Sequence, residues 1–264
     1  MDQIRLNKFL AERLGVSRRE ADELISQGKI TINGKTASLG ARINPSSIDK
    51  NEKVCYNGNI VPFDAEFLYL AFNKPVGYVC SRRAQGPAPT LYDLLPKKYH
   101  HLKTVGRLDK DSSGLILLTN DGDFAFKMTH PKFRKTKVYE VELNKPLEPL
   151  HQQMISDYGV EIGDGPSRFK VIRDDLEMPL SNGVRSLARR GLAPAARGDG
   201  PAGRAPRKTA FLNRYIVILS EGRNRQIRRT FSALGYTVTK LHRTNFGPYE
   251  LGDLKSGEYA IIKV

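Results

Sequence analysis

A chain of 264 residues with 39% hydrophobic content can bury one domain of ordinary size and a smaller companion. Its 43 basic and 28 acidic residues leave a formal net charge of +15, an excess that points to a polyanionic partner, nucleic acid first, rather than to solubility alone. Two cysteines, Cys55 and Cys80, without a CxxC or a Cys/His ligand spacing, exclude a disulfide framework and argue against structural zinc. They read as buried thiols of a reducing compartment. No apolar run is long enough to cross a bilayer, and the start, Met1-Asp2-Gln3-Ile4-Arg5, lacks the design of a secretory signal. A soluble cytoplasmic protein is the expectation.

Taken in chain order, residues 5–14 set Leu6, Phe9, Leu10 and Leu14 at helical spacing, and Gly15 stops that helix. Ser17-Arg18-Arg19-Glu20 is a capping box with Ser17 at N-cap and Glu20 at N3. The second helix continues through Ala21, Leu24 and Ile25 to about Gly28. Residues 29–35 alternate and then turn at Asn33-Gly34, a short strand entering a hairpin. This compact module ends near residue 60, with a linker at 61–66.

Residues 1–66 carry 10 basic and 9 acidic side chains, a net of +1, so any polyanion binding there rests on a patch. Arg18 and Arg19 occupy the first two helical positions, where the macrodipole disfavours cations by about 0.3–1 kcal/mol. A docked phosphate would reverse that sign. The plain alternative is two exposed arginines on a capped helix.

Residues 67–72 form an apolar strand closed by Asn73-Lys74-Pro75-Val76-Gly77. Further strands are expected at 115–119, 138–143 and 214–219, with a tight turn at Asn120-Asp121-Gly122-Asp123 after the first. A helix at 223–235 would place Ile227, Phe231 and Leu234 on one face and end at Gly235. Strands without regular crossover helices indicate an α+β domain with a mixed, largely antiparallel sheet over 67–264. Residues 181–208 stand apart: rich in Gly, Ala, Pro and Arg, with seven basic residues against Asp199, they read as a disordered or weakly ordered insertion. Such a segment is a solvated loop or a flexible arm on an RNA backbone, and its charge favours the arm.

Two polar stretches could carry chemistry. Gly106-Arg107-Leu108-Asp109-Lys110-Asp111-Ser112-Ser113-Gly114 precedes a buried strand, and Gly222-Arg223-Asn224-Arg225-Gln226-Ile227-Arg228-Arg229 opens a helix with four arginines in seven residues. Charged turns between strands are mostly just turns. So many cations in half a helix, however, need an anionic ligand, carboxylate partners, or both.

The stretch GRLDKDSSGLILLTNDGDF resembles the active-site motif of the RsuA-type pseudouridine synthases, which isomerise uridines in bacterial ribosomal RNA. GRNRQIRR and Lys240–Leu251 (KLHRTNFGPYEL) resemble that family's C-terminal motifs, and residues 4–50 resemble an S4 RNA-binding module. The likeness covers nearly the whole chain in the expected order; the departure is the 181–208 insertion. It implies a small N-terminal S4 domain of the αL type followed by a pseudouridine synthase fold, acting as a monomer on ribosomal RNA or a pre-ribosomal particle. No membrane, metal or small-molecule cofactor is implied, because the reaction changes neither redox state nor composition.

The resemblance also implies roles. Asp109 matches the catalytic aspartate, as nucleophile or as base at the sugar. Arg228 matches the arginine that would hold that carboxylate charged and aimed where burial under a base opposes ionisation. Tyr139 matches the active-site tyrosine, able to stack on the base and to assist proton removal. Taken alone it is more commonly a core aromatic of a strand. Arg107, two residues before Asp109, would share its face in an extended segment and contact RNA or prop open a flipped-out site. Leu241 and Arg243 match the last motif, Leu241 packing on the base or the Asp109 loop. Arg225, with Arg5, Lys8, Arg18 and Arg19 of the leading module, completes the expected RNA contacts.

Other readings explain less. A non-catalytic S4-type ribosome-associated protein accounts for the charge and residues 1–60, but not for GRLD with RQIRR. An S4-bearing methyltransferase would want a glycine-rich loop between strand and helix. A tyrosyl-tRNA synthetase relative would need an ATP-handling domain and another domain order.

Overall fold

The computed structural model describes residues 3–44, 53–62, 66–82, 86–174 and 213–264. The 181–208 insertion lies outside them. The described chain divides into two compact units, residues 1–135 with 243–264 and residues 136–242.

The first unit opens with the helices Leu6–Arg13 and Arg18–Ser26. Gly15 and Gly28 follow them with φ of +68° and +70°, a left-handed geometry that glycine adopts without strain. The capping box is formed: Glu20 N donates to Ser17 Oγ at 3.1 Å, and Ser17 N to Glu20 Oε2 at 2.6 Å. Leu6, Phe9, Leu10, Ala21 and Ile25 bury against Ile30, Ile43 and Val54 of the short strands that follow. Asn33-Gly34, both at positive φ, turn strand Ile30–Ile32 into Lys35–Thr36, with Ile32 opposite Lys35.

In the same unit, strand Tyr69–Lys74 pairs antiparallel with Ser113–Thr119, Lys74 facing Gly114. Its other edge takes Tyr259–Ile261, also antiparallel, with Phe72 opposite Tyr259. Lys103–Val105 pairs with the 113–119 strand too. The expected strands are thus present with shifted ends. Asn73 and Lys74 belong to the strand rather than to its closing turn, and Ser113-Gly114 begins the next strand rather than ending a loop. The ends moved because polar side chains there find main-chain acceptors: Asn73 Nδ2 donates to Leu254 O at 2.8 Å, and Lys74 Nζ to three carbonyls.

Asn120–Asp123 is not an isolated turn. Asp121 caps a helix, Gly122–Thr129, its Oδ1 accepting from Asp123 N and Phe124 N at 2.9 Å each. Phe124 and Met128 bury from this helix against Val105, Leu115, Leu117 and Phe246. The leading helix docks beside it: Lys8 Nζ reaches Asp123 Oδ1 at 2.6 Å, and Lys103 Nζ donates to Val16 O at 3.0 Å.

The second unit holds strands Lys137–Leu143, Lys170–Arg173 and Arg214–Leu219, the last antiparallel to both others, with Tyr139 opposite Val217. The helix of the arginine cluster, Gln226–Ala233, is shorter than the expected 223–235. Arg225 sits at the N-cap with φ 47°, so Arg223 and Arg225 precede the helix. Strand Val238–Phe246 starts in this unit and ends in the first. An α+β architecture with mostly antiparallel pairing results; Val79 and Thr90 make a parallel bridge. Among the described residues no helix is long and apolar enough to cross a membrane.

Candidate active site

The GRLD segment hangs from the 113–119 strand in the first unit. Arg107 is exposed, Leu108 buried and Asp109 half-buried, the alternation of an extended segment. The segment is held largely by its main chain. Lys74, wholly buried, donates from Nζ to Pro75 O (3.0 Å), Asp109 O (3.1 Å) and Ser112 O (2.7 Å), which uses all three of its protons. Gly77 N donates to Lys110 O at 2.7 Å, and Ser112 N to Asp109 O at 3.1 Å. Leu108 exchanges two bonds with Cys80, N to Sγ at 3.4 Å and Sγ to O at 3.3 Å. Burial pushes the Lys74 ammonium below its ordinary range, with the Cys80, Asp109 and Asp111 charges opposing. Burial likewise raises the Cys80 thiol, against its bond to Leu108. The cysteines, expected to be buried, are half-buried free thiols.

Gly114 explains why the segment ends where it does. Its φ is +104°, and a Cβ there would overlap the main chain of Arg243. Arg243 is itself buried at 2% exposure. Its Nε donates to Leu115 O at 2.7 Å, and its guanidinium lies 4.8 Å from the Phe246 ring centroid. Its Nη2 is buried with no hydrogen-bond partner among the described residues. A buried donor of that kind is one a ligand could satisfy.

The second unit carries Tyr139, Arg228, Leu241 and Arg225. Tyr139 is buried on strand Lys137–Leu143, and Leu241 is buried on Val238–Phe246. Arg228 is half-buried, with Nη1 donating to Val238 O at 2.7 Å. Arg225 is exposed. The other two arginines of the cluster answer part of the question the sequence raised. Arg229 binds both oxygens of Asp164, at 3.0 and 3.1 Å, and donates to the Ile162 carbonyl. Arg223 donates to Gly165 O at 3.0 Å and Pro166 O at 2.7 Å. Together they clamp the hairpin of Val160–Glu161 and Pro166–Ser167. Asp164 is held below the usual carboxylate range, first by its hydrogen bond to Arg229. Beneath them, buried Gln226 donates to Ser167 Oγ at 3.1 Å, and Thr230 Oγ1 donates to the same oxygen at 2.7 Å.

Of the leading module's expected contacts, Arg5, Arg18 and Arg19 are exposed, while Lys8 is engaged by Asp123. Sequence reasoning missed Lys74, Gln226 and the packing role of Gly114. The signal for Lys74 was a lysine at the end of an otherwise apolar strand. Gln226 offered none, since a glutamine among arginines reads as solvated. Among the described residues no cluster of His, Cys, Asp and Glu could hold a metal ion.

The sequence pattern of RNA pseudouridylate synthases matches residues 68–233, and that of the S4 domain matches residues 4–48. A ribosomal small subunit pseudouridine synthase A of Pasteurella multocida is 32% identical over 97% of this chain and 94% of its own length. A ribosomal large subunit pseudouridine synthase B of Pseudomonas aeruginosa is also 32% identical, over 97% of this chain and 58% of its own. Among solved structures, a crystal structure of a pseudouridylate synthase aligns with 98% of this chain and 96% of its own at a TM-score of 0.59 and 28% identity. The chain belongs to the RNA pseudouridylate synthase family and carries an S4 domain at its N-terminal end.

Proposed function

We propose that this chain isomerises uridine to pseudouridine in ribosomal RNA, as a cytoplasmic monomer that needs neither metal nor organic cofactor. The observation that carries the reading is relatedness along 97% of the chain to enzymes named for that reaction, with GRLD in place. Residues 1–60 serve as the S4 RNA-binding domain and 67–264 as the catalytic domain. Relatedness at 32% to a small-subunit and to a large-subunit enzyme alike assigns the reaction and leaves the target uridine to experiment.

In the reaction the bond from N1 to C1′ breaks, the base turns, a bond from C5 to C1′ forms, the C5 proton passes to a base, and N1 takes up a proton, so composition is unchanged. Asp109 is the catalytic carboxylate at the sugar, and Arg228 is the arginine that serves it in turnover. Tyr139 stacks on the base, with its hydroxyl near the departing proton. Arg107, Arg225, Leu241 and Arg243 receive the extruded nucleotide and its flanks; the buried, unsatisfied Nη2 supports this for Arg243. Arg5, Lys8, Arg18 and Arg19 meet RNA phosphates, and the start of a capped helix supports the last two.

The test is carbodiimide mapping of pseudouridine on unmodified ribosomal RNA after incubation with wild type or Asp109→Asn and no cofactor. New reverse-transcription stops with wild type alone establish reaction, residue and target. Tight binding without a stop on naked RNA or assembling subunits would make the protein a non-catalytic S4-type binder.

A further inference from the structure

The helix Gly122–Thr129 buries Phe124 and Met128 but leaves Phe126 46% exposed. Two residues beyond the helix's last, Pro131–Phe133 begins a tight turn in which Phe133 is 37% exposed, and the exposed ring of His130 joins the two phenylalanines. The rings adjoin one another: Phe126 to His130 at 4.7 Å between centroids, Phe126 to Phe133 at 5.8 Å and nearly perpendicular, His130 to Phe133 at 6.4 Å. Lys132 Nζ lies 5.1 Å from the Phe126 centroid and 4.7 Å from that of Phe133. Neither phenylalanine belongs to the buried cluster under the helix.

The display is built rather than frayed. His130 Nδ1 accepts from Lys132 N at 3.3 Å, Phe133 N donates to His130 O at 3.1 Å, and Arg134 N donates to Pro131 O at 3.0 Å with Arg134 at φ 46°. Two adjoining phenylalanines thus leave over a third of their surface in water, burial that a core position would have given them. Single exposed apolar residues need no explanation, whereas an adjoining group marks a contact surface. Its charge names the partner class. From Phe124 to Lys135 the chain carries Lys127, Lys132, Arg134 and Lys135 and no acidic residue, and the first three are exposed. Aromatic faces interleaved with cations suit stacked bases and their phosphates.

We infer that Phe126, His130 and Phe133, with Lys127, Lys132 and Arg134, form a stacking platform for an unpaired nucleotide of the RNA substrate, apart from the nucleotide that reacts. The inference rests on RNA being the substrate. The platform binds a base by its face, without sequence preference, and adds affinity rather than chemistry.

The test uses the full chain, a short fluorescent oligouridylate and unmodified ribosomal RNA. Phe133→Ala, on an exposed turn, should weaken oligouridylate binding about five- to a hundredfold, the range of one lost base stack. Phe133→Tyr should restore it, and Lys132→Gln should flatten its salt dependence. Against ribosomal RNA, KM should rise with kcat unchanged. Wild-type affinity in both Phe133→Ala and the Phe126→Ala/Phe133→Ala double variant overturns the platform. A loss seen only on assembled subunits, with naked RNA unaffected, overturns it in favour of a ribosomal protein contact. Wild type that binds oligouridylate through these rings yet forms no pseudouridine refutes the catalytic reading and leaves the platform standing.

Discussion

The ammonium of Lys74 donates to the main-chain carbonyl of Asp109 at 3.1 Å, while the same nitrogen also holds Pro75 and Ser112. A cation buried at a strand end thus fixes the main chain of the loop that carries Asp109, the proposed catalytic carboxylate. A residue acting this way positions the reacting group rather than reacting itself.

Lys74→Met should therefore lower kcat by more than tenfold while RNA affinity stays within about twofold. It strips three carbonyls of their donor, at about 1–3 kcal/mol for each one left buried and unsatisfied. Single-turnover rates, RNA titration and thermal melting together check this. Normal turnover in a folded Lys74→Met protein would dismiss the positioning role.

Gly114→Ala meets two obstacles, the φ of +104° and the Arg243 main chain. The backbone strain alone costs about 1–3 kcal/mol, and relief of the overlap requires the strands to part. Calorimetry should show a clear drop in Tm or no cooperative transition. A variant melting with the wild type would mean that the approach of Arg243 to this strand is looser than described.

Neighbouring arginines on one helix should behave oppositely. Arg229→Gln frees Asp164 and the Ile162 carbonyl, so amide exchange across residues 160–167 should quicken while the isomerisation rate stays within a few-fold. Arg228→Ala should leave that exchange pattern intact and depress turnover strongly, with Arg228→Lys recovering part of it. Equal effects from the two substitutions would remove Arg228 from the reaction.

Glu12, beside Lys8 and near Asp121 and Asp123, is raised above its ordinary carboxyl value, chiefly by burial; Lys8 works against the rise and Asp123 adds to it. A carboxyl raised on folding favours the protonated form, so its contribution is greatest below the unfolded value and is lost as pH climbs through the folded one. Glu12→Gln removes that loss. The Tm advantage of Glu12→Gln over wild type should grow from about pH 4 to about pH 7. Parallel pH profiles would show that Glu12 ionises without cost.

What the sequence disclosed followed the range of the interactions. The capping box of Ser17 and Glu20 and the Asn33-Gly34 hairpin are local, three residues or fewer, and their chemistry is written where it acts. The helix after Asp121 escaped notice because Phe126 faces outward. Phe124, Ala125, Phe126 and Met128 together blur the period that Phe124 and Met128 alone would show. Asp109 was singled out through its motif. The lysine that holds its loop was not, since Lys74 and Ser112 lie 38 residues apart and meet only in the sheet. Half of the arginine cluster met the carboxylate partner that its charge called for, but not in a place the sequence could name: Arg223 and Arg229 spend their charge on Asp164 and on carbonyls of a hairpin some 60 residues earlier. Nothing local marks such a partner.

The pairing of Tyr259–Ile261 with Tyr69–Lys74 also sets a timetable. A ribosome releases the chain from its N-terminal end, so the 69–74 strand emerges long before the strand that covers its edge. Asn73 waits for Leu254, Gly257 and Glu258, which bond both its backbone and its amide. Until those residues are made, the strand bearing Lys74 has one open side, and contacts so distant along the chain are slow to form. The strand whose lysine holds the Asp109 loop is therefore closed on both edges only after residues 254–261 have been made.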